Sequence, residues 1–183
     1  MKDEKNLQDL DLTPVDQELE LELLKKQEDG EEKEPEFRLN SRRDERQLAL
    51  YLLYALDRAE YSIALDDAIK TFEKGFDIEI PRESFAIALA EGILAKRDEL
   101  DERLTPFLKN WRLERLGCCT RLILHIALWE LQLPDAIPSI IINEAVELAK
   151  TFAEKDAYRF VNGILDEIAK SSDGGEKPAE EKQ

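Results

Sequence analysis

The strongest constraint on the fold of this chain is a pair of apolar stripes in residues 138–170. Apolar residues recur there three or four positions apart, first at Ile141, Ala145, Leu148, Ala149 and Phe152, and then at Val161, Ile164, Leu165 and Ile168. This spacing predicts two amphipathic helices, for which Ser139 and Asp156 are the expected N-caps. Because only residues 153–155 separate them, the two helices should form an antiparallel hairpin. Helices from earlier in the chain must then complete the core.

The earlier part of the chain carries further helical signals and no strand alternation of convincing length. Ser41 followed by Asp44 has the form of a capping box, which predicts a helix through about Ala59. More helices are expected from Asp66 to Lys74 with a stop at Gly75, from Glu83 to Arg97, around Leu100 to Leu108, and from Arg112 to Leu133. The last of these is apolar nearly all round, which is typical of a central helix. The predicted fold is therefore all-α, a compact bundle of six or seven helices.

One glycine stands inside a predicted helix. Gly92 costs about 1 kcal/mol relative to alanine in such a position, because it gains backbone freedom on unfolding. We therefore expect another helix to approach closely at Gly92.

Charge divides the chain into three parts. Residues 1–40 contain 6 Lys and Arg against 14 Asp and Glu, residues 171–183 contain 2 against 4, and the remaining 130 residues contain 18 against 24. We predict an acidic, disordered extension at 1–40, one helical domain at 41–170 and a disordered tail at 171–183. Val15, Leu19 and Leu23 are spaced as in a transient amphipathic helix. That segment either docks on a partner, folds back over a basic patch or stays a solvated tail.

Composition also bounds the compartment and the partners. The acidic N-terminus has no apolar run, and the apolar stretches elsewhere are too short to cross a bilayer, so we expect a cytoplasmic protein without a membrane partner. Cys118 and Cys119 are adjacent, which suits neither a metal site nor a disulfide framework, and we interpret them as thiols that pack between helices. No body-wide basic field is present, so RNA binding would need a local patch or a basic partner.

Catalytic motifs are absent from the sequence. The single histidine, His125, lies in the most apolar stretch, where a packed or hydrogen-bonded imidazole is the simpler interpretation than a general base. There is no glycine-rich phosphate loop and no recognisable nucleophile motif. We therefore predict a protein that is not an enzyme, with no catalytic residue, cofactor or metal.

An arginine cluster is the first candidate for binding. Arg42, Arg43 and Arg46 fall at the start of the first predicted helix, where the helix dipole disfavours cations. Guanidinium groups placed there can contact phosphates, and Tyr54 further along the helix offers a surface for an unpaired base or for a partner. A generic solvated helix start explains the same arginines. Phe160, at the edge of its apolar stripe, is either a core residue or a partly exposed stacking ring.

Taken together, several segments resemble the NusB family of transcription antitermination factors. The residues from Asn143 to Lys150, then Asp156, and then Phe160 to Asp166 are similar to the C-terminal signature of that family. Further similarities follow in order at Arg42, Arg43, Arg46, Ala49, Leu53 and Tyr54, at Trp111 and Leu113 to Leu116, and at Ile123, Leu124, Ala127 and Trp129 to Leu131. The resemblance covers about residues 41–170.

The resemblance implies a helical RNA-binding domain at 41–170 that pairs with ribosomal protein S10 (NusE). It implies that the two proteins bind boxA RNA of nascent ribosomal RNA transcripts and, with other Nus factors, keep RNA polymerase from terminating early. By the same resemblance, the arginine cluster would contact RNA with help from Asp156 and Phe160, and the central helices would face S10.

Two other interpretations stay open. The chain could be a protein-binding scaffold of the same fold that has lost direct contact with RNA, which would suit its acidic composition. A similar helical domain is also fused to ribosomal RNA cytosine methyltransferases, so this chain could be a detached recognition module.

Overall fold

Seven α-helices and two short 3-10 turns occur in residues 39–109 and 111–174, the part of the chain that this computed structural model describes. The helices are α1 (Arg42–Arg58), α2 (Leu65–Phe76), α3 (Phe85–Ala95), α4 (Arg97–Leu104), α5 (Cys118–Glu130), α6 (Pro138–Phe152) and α7 (Ala157–Gly174). No strand occurs in these two ranges, which confirms the prediction of an all-α bundle. Nor do they contain a helix that is long and apolar enough to cross a membrane.

Helix α1 begins at the predicted cap. The Ser41 hydroxyl accepts a hydrogen bond from the Asp44 N–H at 3.2 Å, and the Asp44 carboxylate accepts one from the Asn40 N–H at 3.1 Å. The second bond reaches one residue further back than the capping box requires. The stripe predicted to face the core, Leu48, Ala49, Leu52 and Leu56, is buried.

Helix α5 is the centre of the bundle. It packs against α1, α3, α4, α6 and α7, so every side chain from Leu122 to Leu128 is buried. The imidazole of His125 is buried as well, and its Nε2 lies 2.7 Å from Asp101 Oδ1 on α4. This contact confirms the prediction of a packed, hydrogen-bonded histidine. Helix α5 starts later than expected, because Leu113–Arg115 form a separate 3-10 turn and Leu116 and Gly117 are extended.

The close approach predicted at Gly92 is present. A Cβ atom built on Gly92 would lie only 2.1 Å from Trp129 Nε1, so the indole ring occupies the space of the missing side chain. Because α3 and α5 meet at this point, hydrogen is the one substituent that fits without a shift of the ring.

Several predicted helix ends are wrong. Helix α2 continues past Gly75 to Phe76, and Asp77 ends it in the left-handed conformation with φ of 50°. Asp and Asn tolerate this region better than most residues, so aspartate replaces the expected glycine. Helix α6 begins with Pro138, and its N-cap position is Ile137 without a side-chain hydrogen bond, so Ser139 lies inside the helix and is not its cap.

The last helix is longer than expected. Helix α7 runs through Gly174, four residues past the predicted domain end at residue 170, and the Ser171 hydroxyl donates to the Ile168 carbonyl at 2.8 Å. The helix thus includes residues 171–174, which composition alone assigned to the tail. Residues 1–38 and 175–183, which hold most of the two termini predicted to be disordered, lie outside the described residues.

We expect Gly92→Ala to destabilise the protein by about 1–3 kcal/mol, because the added methyl group must displace the Trp129 ring. Gly163→Ala is the matched control, since a Cβ there would meet nothing within 4 Å and alanine is favoured in a helix interior by about 0.5–1 kcal/mol. Urea unfolding of both variants measures the difference. A Gly92→Ala protein as stable as the control would contradict this packing.

Candidate functional site

The three predicted arginines all lie at the start of α1, and each contacts a carboxylate. Arg42 Nη1 lies 3.2 Å from Glu45 Oε2, and its guanidinium carbon is 4.2 Å from the centre of the Phe85 ring. Arg43 donates from Nε and Nη2 to the two oxygens of Glu144 on α6, at 2.9 and 2.6 Å. The cluster is therefore neutralised in part by acids of the protein itself.

Arg46 differs from its neighbours because it is buried. Its Nε and Nη2 donate to the two oxygens of Glu130 at 2.8 and 2.7 Å, and its Nη1 lies 3.7 Å from Glu144. The side chain of Arg46 is 10% exposed, against 64% for Arg42 and 57% for Arg43. Arg46 thus holds the first turns of α1 on the end of α5, whereas Arg42 and Arg43 face solvent.

The sequence pattern does not predict the two acids that bind these arginines, Glu130 and Glu144. A signal for Glu130 exists, since it is an acid at the end of an otherwise apolar helix, and a buried charge needs a partner. Glu144 gives no such signal, because it lies in a helix with a polar face. Hydrogen bonds from Arg43 lower the pKa of Glu144 below its usual value, which keeps this carboxylate charged.

Tyr54 does not join the arginine cluster. Its side chain is half-buried and packs against the hydrophobic core. Tyr54 is eight positions after Arg46, which is about 12 Å along the helix. The proposal that Tyr54 stacks on a base would therefore need a second contact point on the RNA.

Asp156 and Phe160 lie at the other end of the bundle from the arginine cluster. Asp156 directly precedes α7, as predicted, but with a left-handed φ of 66° rather than the extended backbone of most N-caps. Its carboxylate lies 3.9 Å from Arg159 Nε and is largely exposed. Phe160 is half-buried, packs against the core and meets the ring of Trp111 edge-on, with 6.2 Å between the ring centres. The ring is thus both a core contact and part of the surface.

The two regions are separated along α5. Arg46 binds Glu130 near the C-terminal end of α5. Near the N-terminal end of α5, Thr120 donates a hydrogen bond of 2.6 Å to Glu154, which lies in the turn between α6 and α7. Thr120 and Glu130 are ten positions apart on the helix, which is about 15 Å. The structure does not bring the predicted residues together in one compact site.

A second aromatic and basic region was missed at the sequence level. Trp111 is 58% exposed beside Phe160, and Arg112 and Arg115 follow it on the surface. A signal was present, since Trp111 lies among charged residues and outside every apolar stripe.

Neither of the adjacent cysteines forms a disulfide, and Cys118 packs against the hydrophobic core. Cys118 Sγ donates to Asp57 Oδ2 at 3.0 Å, and Asp57 also accepts from Arg121 at 2.5 Å. Burial and the hydrogen bond to Asp57 raise the pKa of the Cys118 thiol, so it stays protonated. Within the described residues no group of three or more His, Cys, Asp or Glu could hold a metal ion.

We expect Glu130→Gln to destabilise the protein by about 3–5 kcal/mol, because it leaves the guanidinium of Arg46 buried without its main counter-charge. Glu147→Gln is the matched control, since its ion pair with Lys150 lies on the surface of α6 and contributes less than about 1 kcal/mol. Chemical denaturation of both variants provides the comparison. Equal losses in the two variants would show that the Arg46 pair has no special role.

The lowered pKa of Glu144 predicts a pH dependence. The folded state favours the ionised carboxylate, so Glu144 adds stability above its unfolded pKa, and this stability is lost as the pH falls through the folded pKa. We expect Glu144→Gln to reduce the free energy of unfolding at pH 7 and to have a smaller effect at pH 3. A loss that is the same at both pH values would contradict the ion pair with Arg43.

Known proteins similar to this chain agree on one family. The sequence model of the NusB family matches residues 43–170. The transcription antitermination protein NusB of Macrococcus caseolyticus is 40% identical over 132 residues, which cover 72% of this chain and 98% of that protein. NusB of Desulfovibrio desulfuricans is 35% identical over 147 residues, covering 74% and 88%.

Solved structures give the same result. NusB of T. maritima superposes with a TM-score of 0.63 at 27% identity, covering 71% of this chain and 91% of that one. A chain from a crystal structure of the antitermination factors NusB and NusE in complex with dsRNA superposes with a TM-score of 0.62 at 25% identity, covering 73% and 99%. Antitermination is a regulatory role rather than a catalysed reaction, which confirms the prediction that the chain is not an enzyme. The chain therefore belongs to the NusB family of transcription antitermination proteins.

Proposed function

We propose that this protein binds boxA RNA of nascent ribosomal RNA transcripts together with ribosomal protein S10 (NusE). With other Nus factors, the complex would prevent premature termination by RNA polymerase. The observation that carries this proposal is the similarity, over 73% of the chain, to a structure that holds NusB and NusE in complex with dsRNA.

Arg42 and Arg43 are the best candidates for contact with phosphate in this complex. Both side chains are largely exposed, although their partners Glu45 and Glu144 are not. A phosphate group can approach the exposed side of each guanidinium and form charge-assisted hydrogen bonds there. Arg46 takes a different part in the proposal, because its buried pair with Glu130 positions the first turns of α1.

The net charge of the chain makes a basic partner part of the proposal. At a formal charge of -16 the protein repels a polyanion at long range. Affinity for RNA depends on the cations that displace the counterions of the phosphates, and the exposed arginines of α1 are few. A basic partner such as S10 would add the missing positive charge beside them.

A protein-binding scaffold without direct RNA contact is the second candidate. It is favoured by one observation, which is that Arg42, Arg43 and Arg46 each contact a carboxylate of the protein itself. The two candidates differ in what the exposed arginines do, so they can be separated by substitution.

We expect the double variant Arg42→Gln, Arg43→Gln to bind boxA RNA at least about 10-fold more weakly in the presence of S10. The salt dependence of binding should also flatten by about two counterions, because two phosphate contacts are lost. Fluorescence anisotropy with labelled boxA RNA, over a series of salt concentrations, measures both effects. Lys70→Gln, Lys74→Gln is the charge-matched control, since it removes two cations of α2.

Three outcomes separate the candidates. No RNA binding by the wild-type protein, with or without S10 at low salt, would contradict the proposed function. Binding of S10 together with RNA affinity that the α1 substitutions leave unchanged would favour the scaffold. A loss confined to the α1 variant and absent from the α2 control would support direct contact.

A further inference from the structure

Trp111 lines a surface cleft of about 620 Å³ formed by the segment that joins α4 to α5. The cleft is lined by Thr105, Trp111, Arg112, Leu113, Glu114 and Arg115. Its volume is within the range of small-ligand sites, which is about 300–1,000 Å³. The cleft therefore has room for one nucleotide rather than for a large structured element.

Two contacts hold Trp111 in place although its side chain is exposed. The backbone N–H of Trp111 donates to the Leu108 carbonyl at 2.8 Å. The indole ring contacts the ring of Phe160, with 6.2 Å between the ring centres and 61° between the ring planes. Contacts between aromatic rings in this geometry stabilise their relative orientation. With 58% of its surface accessible, Trp111 is the most exposed large apolar side chain that the structure describes.

The two arginines beside Trp111 differ from those at the start of α1. In the described part of the chain no carboxylate lies within 4.0 Å of the guanidinium of Arg112 or Arg115, although acids outnumber cations in this protein. Both side chains are exposed, and the backbone of the 3-10 turn Leu113–Arg115 joins them through the bond from the Arg115 N–H to the Arg112 carbonyl at 3.0 Å. Arg112 and Arg115 can therefore bind an anion without breaking an ion pair within the protein.

We propose that Trp111, Phe160, Arg112 and Arg115 form a nucleotide site for single-stranded RNA, in which one unpaired base stacks on Trp111 and the arginines bind adjacent phosphates. This inference rests on the proposed function and locates a contact that the arginine cluster of α1 does not provide. Aromatic rings bind unpaired bases because every base has a π-face, and neighbouring cations neutralise the strand.

The charges favour RNA over a protein partner for this cleft. The lining of the cleft carries two guanidinium groups, those of Arg112 and Arg115, against the single carboxylate of Glu114. Its local charge is therefore positive, which attracts a polyanion. A stacking ring next to cations is the arrangement that single-stranded nucleic acids use.

The test is the affinity of the full-length protein with S10 for a short, labelled single-stranded boxA RNA. We expect Trp111→Ala to weaken binding about 10-fold and Trp111→Phe to stay within about 3-fold of wild type, because phenylalanine keeps an aromatic face. We expect Arg112→Gln, Arg115→Gln to weaken binding and to flatten its salt dependence by about two counterions. Lys70→Gln, Lys74→Gln again serves as the charge-matched control.

Tryptophan fluorescence adds a readout that a purely structural role would not change. The chain has two tryptophans, and the other one, Trp129, is half-buried beside Gly92. A base stacked on Trp111 should quench part of the emission of the wild-type protein. Trp111→Phe should lose this RNA-dependent quenching while it still binds RNA.

The outcomes distinguish this inference from the function on which it rests. RNA binding by the wild type that neither Trp111→Ala nor the double arginine variant changes would overturn the nucleotide site and leave the proposed function standing. Loss of S10 binding with RNA affinity unchanged would assign the cleft to a protein partner and overturn the site as well. If the wild type with S10 binds no RNA, both proposals fail. Circular dichroism and thermal unfolding confirm that each variant is folded.

Discussion

The buried ion pair between Arg46 and Glu130 is the contact on which the geometry of the arginine surface depends. Two parallel hydrogen bonds of 2.8 and 2.7 Å satisfy the carboxylate, which offsets the cost of removing both charges from water. The pair joins the start of α1 to the end of α5, and the contact of Asp57 with Arg121 joins the other two ends. Helices α1 and α5 are thus antiparallel and held in register at both ends. Arg43 and Glu144 extend the connection to α6.

This arrangement divides the predicted RNA-binding residues by role. Arg42 and Arg43 remain exposed because Arg46 takes the buried position one turn later, so they are the two that we propose for phosphate contact. Phe160 is on α7, next to Trp111 and its unpaired arginines. We therefore infer an RNA surface with two separate contact regions. The start of α1 would bind phosphates, and the region of Trp111 would stack on a base because its indole is exposed.

Periodicity and capping chemistry predicted most of the fold, because both act within one or two helical turns. The stripe Leu48 to Leu56, the Ser41 cap and the close packing at Gly92 all follow from local pattern. The predictions are wrong at helix ends, where any of several neighbouring residues can start or end the helix. Asp77 replaces Gly75 as the left-handed stop, and Pro138 rather than a Ser139 cap begins α6.

For the candidate site, the sequence shows which residue types are present, but it does not show which of these side chains are free to bind a ligand. Arginines at a helix start and aromatic residues outside the apolar stripes are visible in the sequence, and they indicated a binding surface. Whether a guanidinium is free depends on carboxylates that lie 84 and 101 positions away, at Glu130 and Glu144. Helix packing brings those charges together, and no local pattern encodes such distances. Packing also left Trp111 exposed beside two unpaired arginines, Arg112 and Arg115.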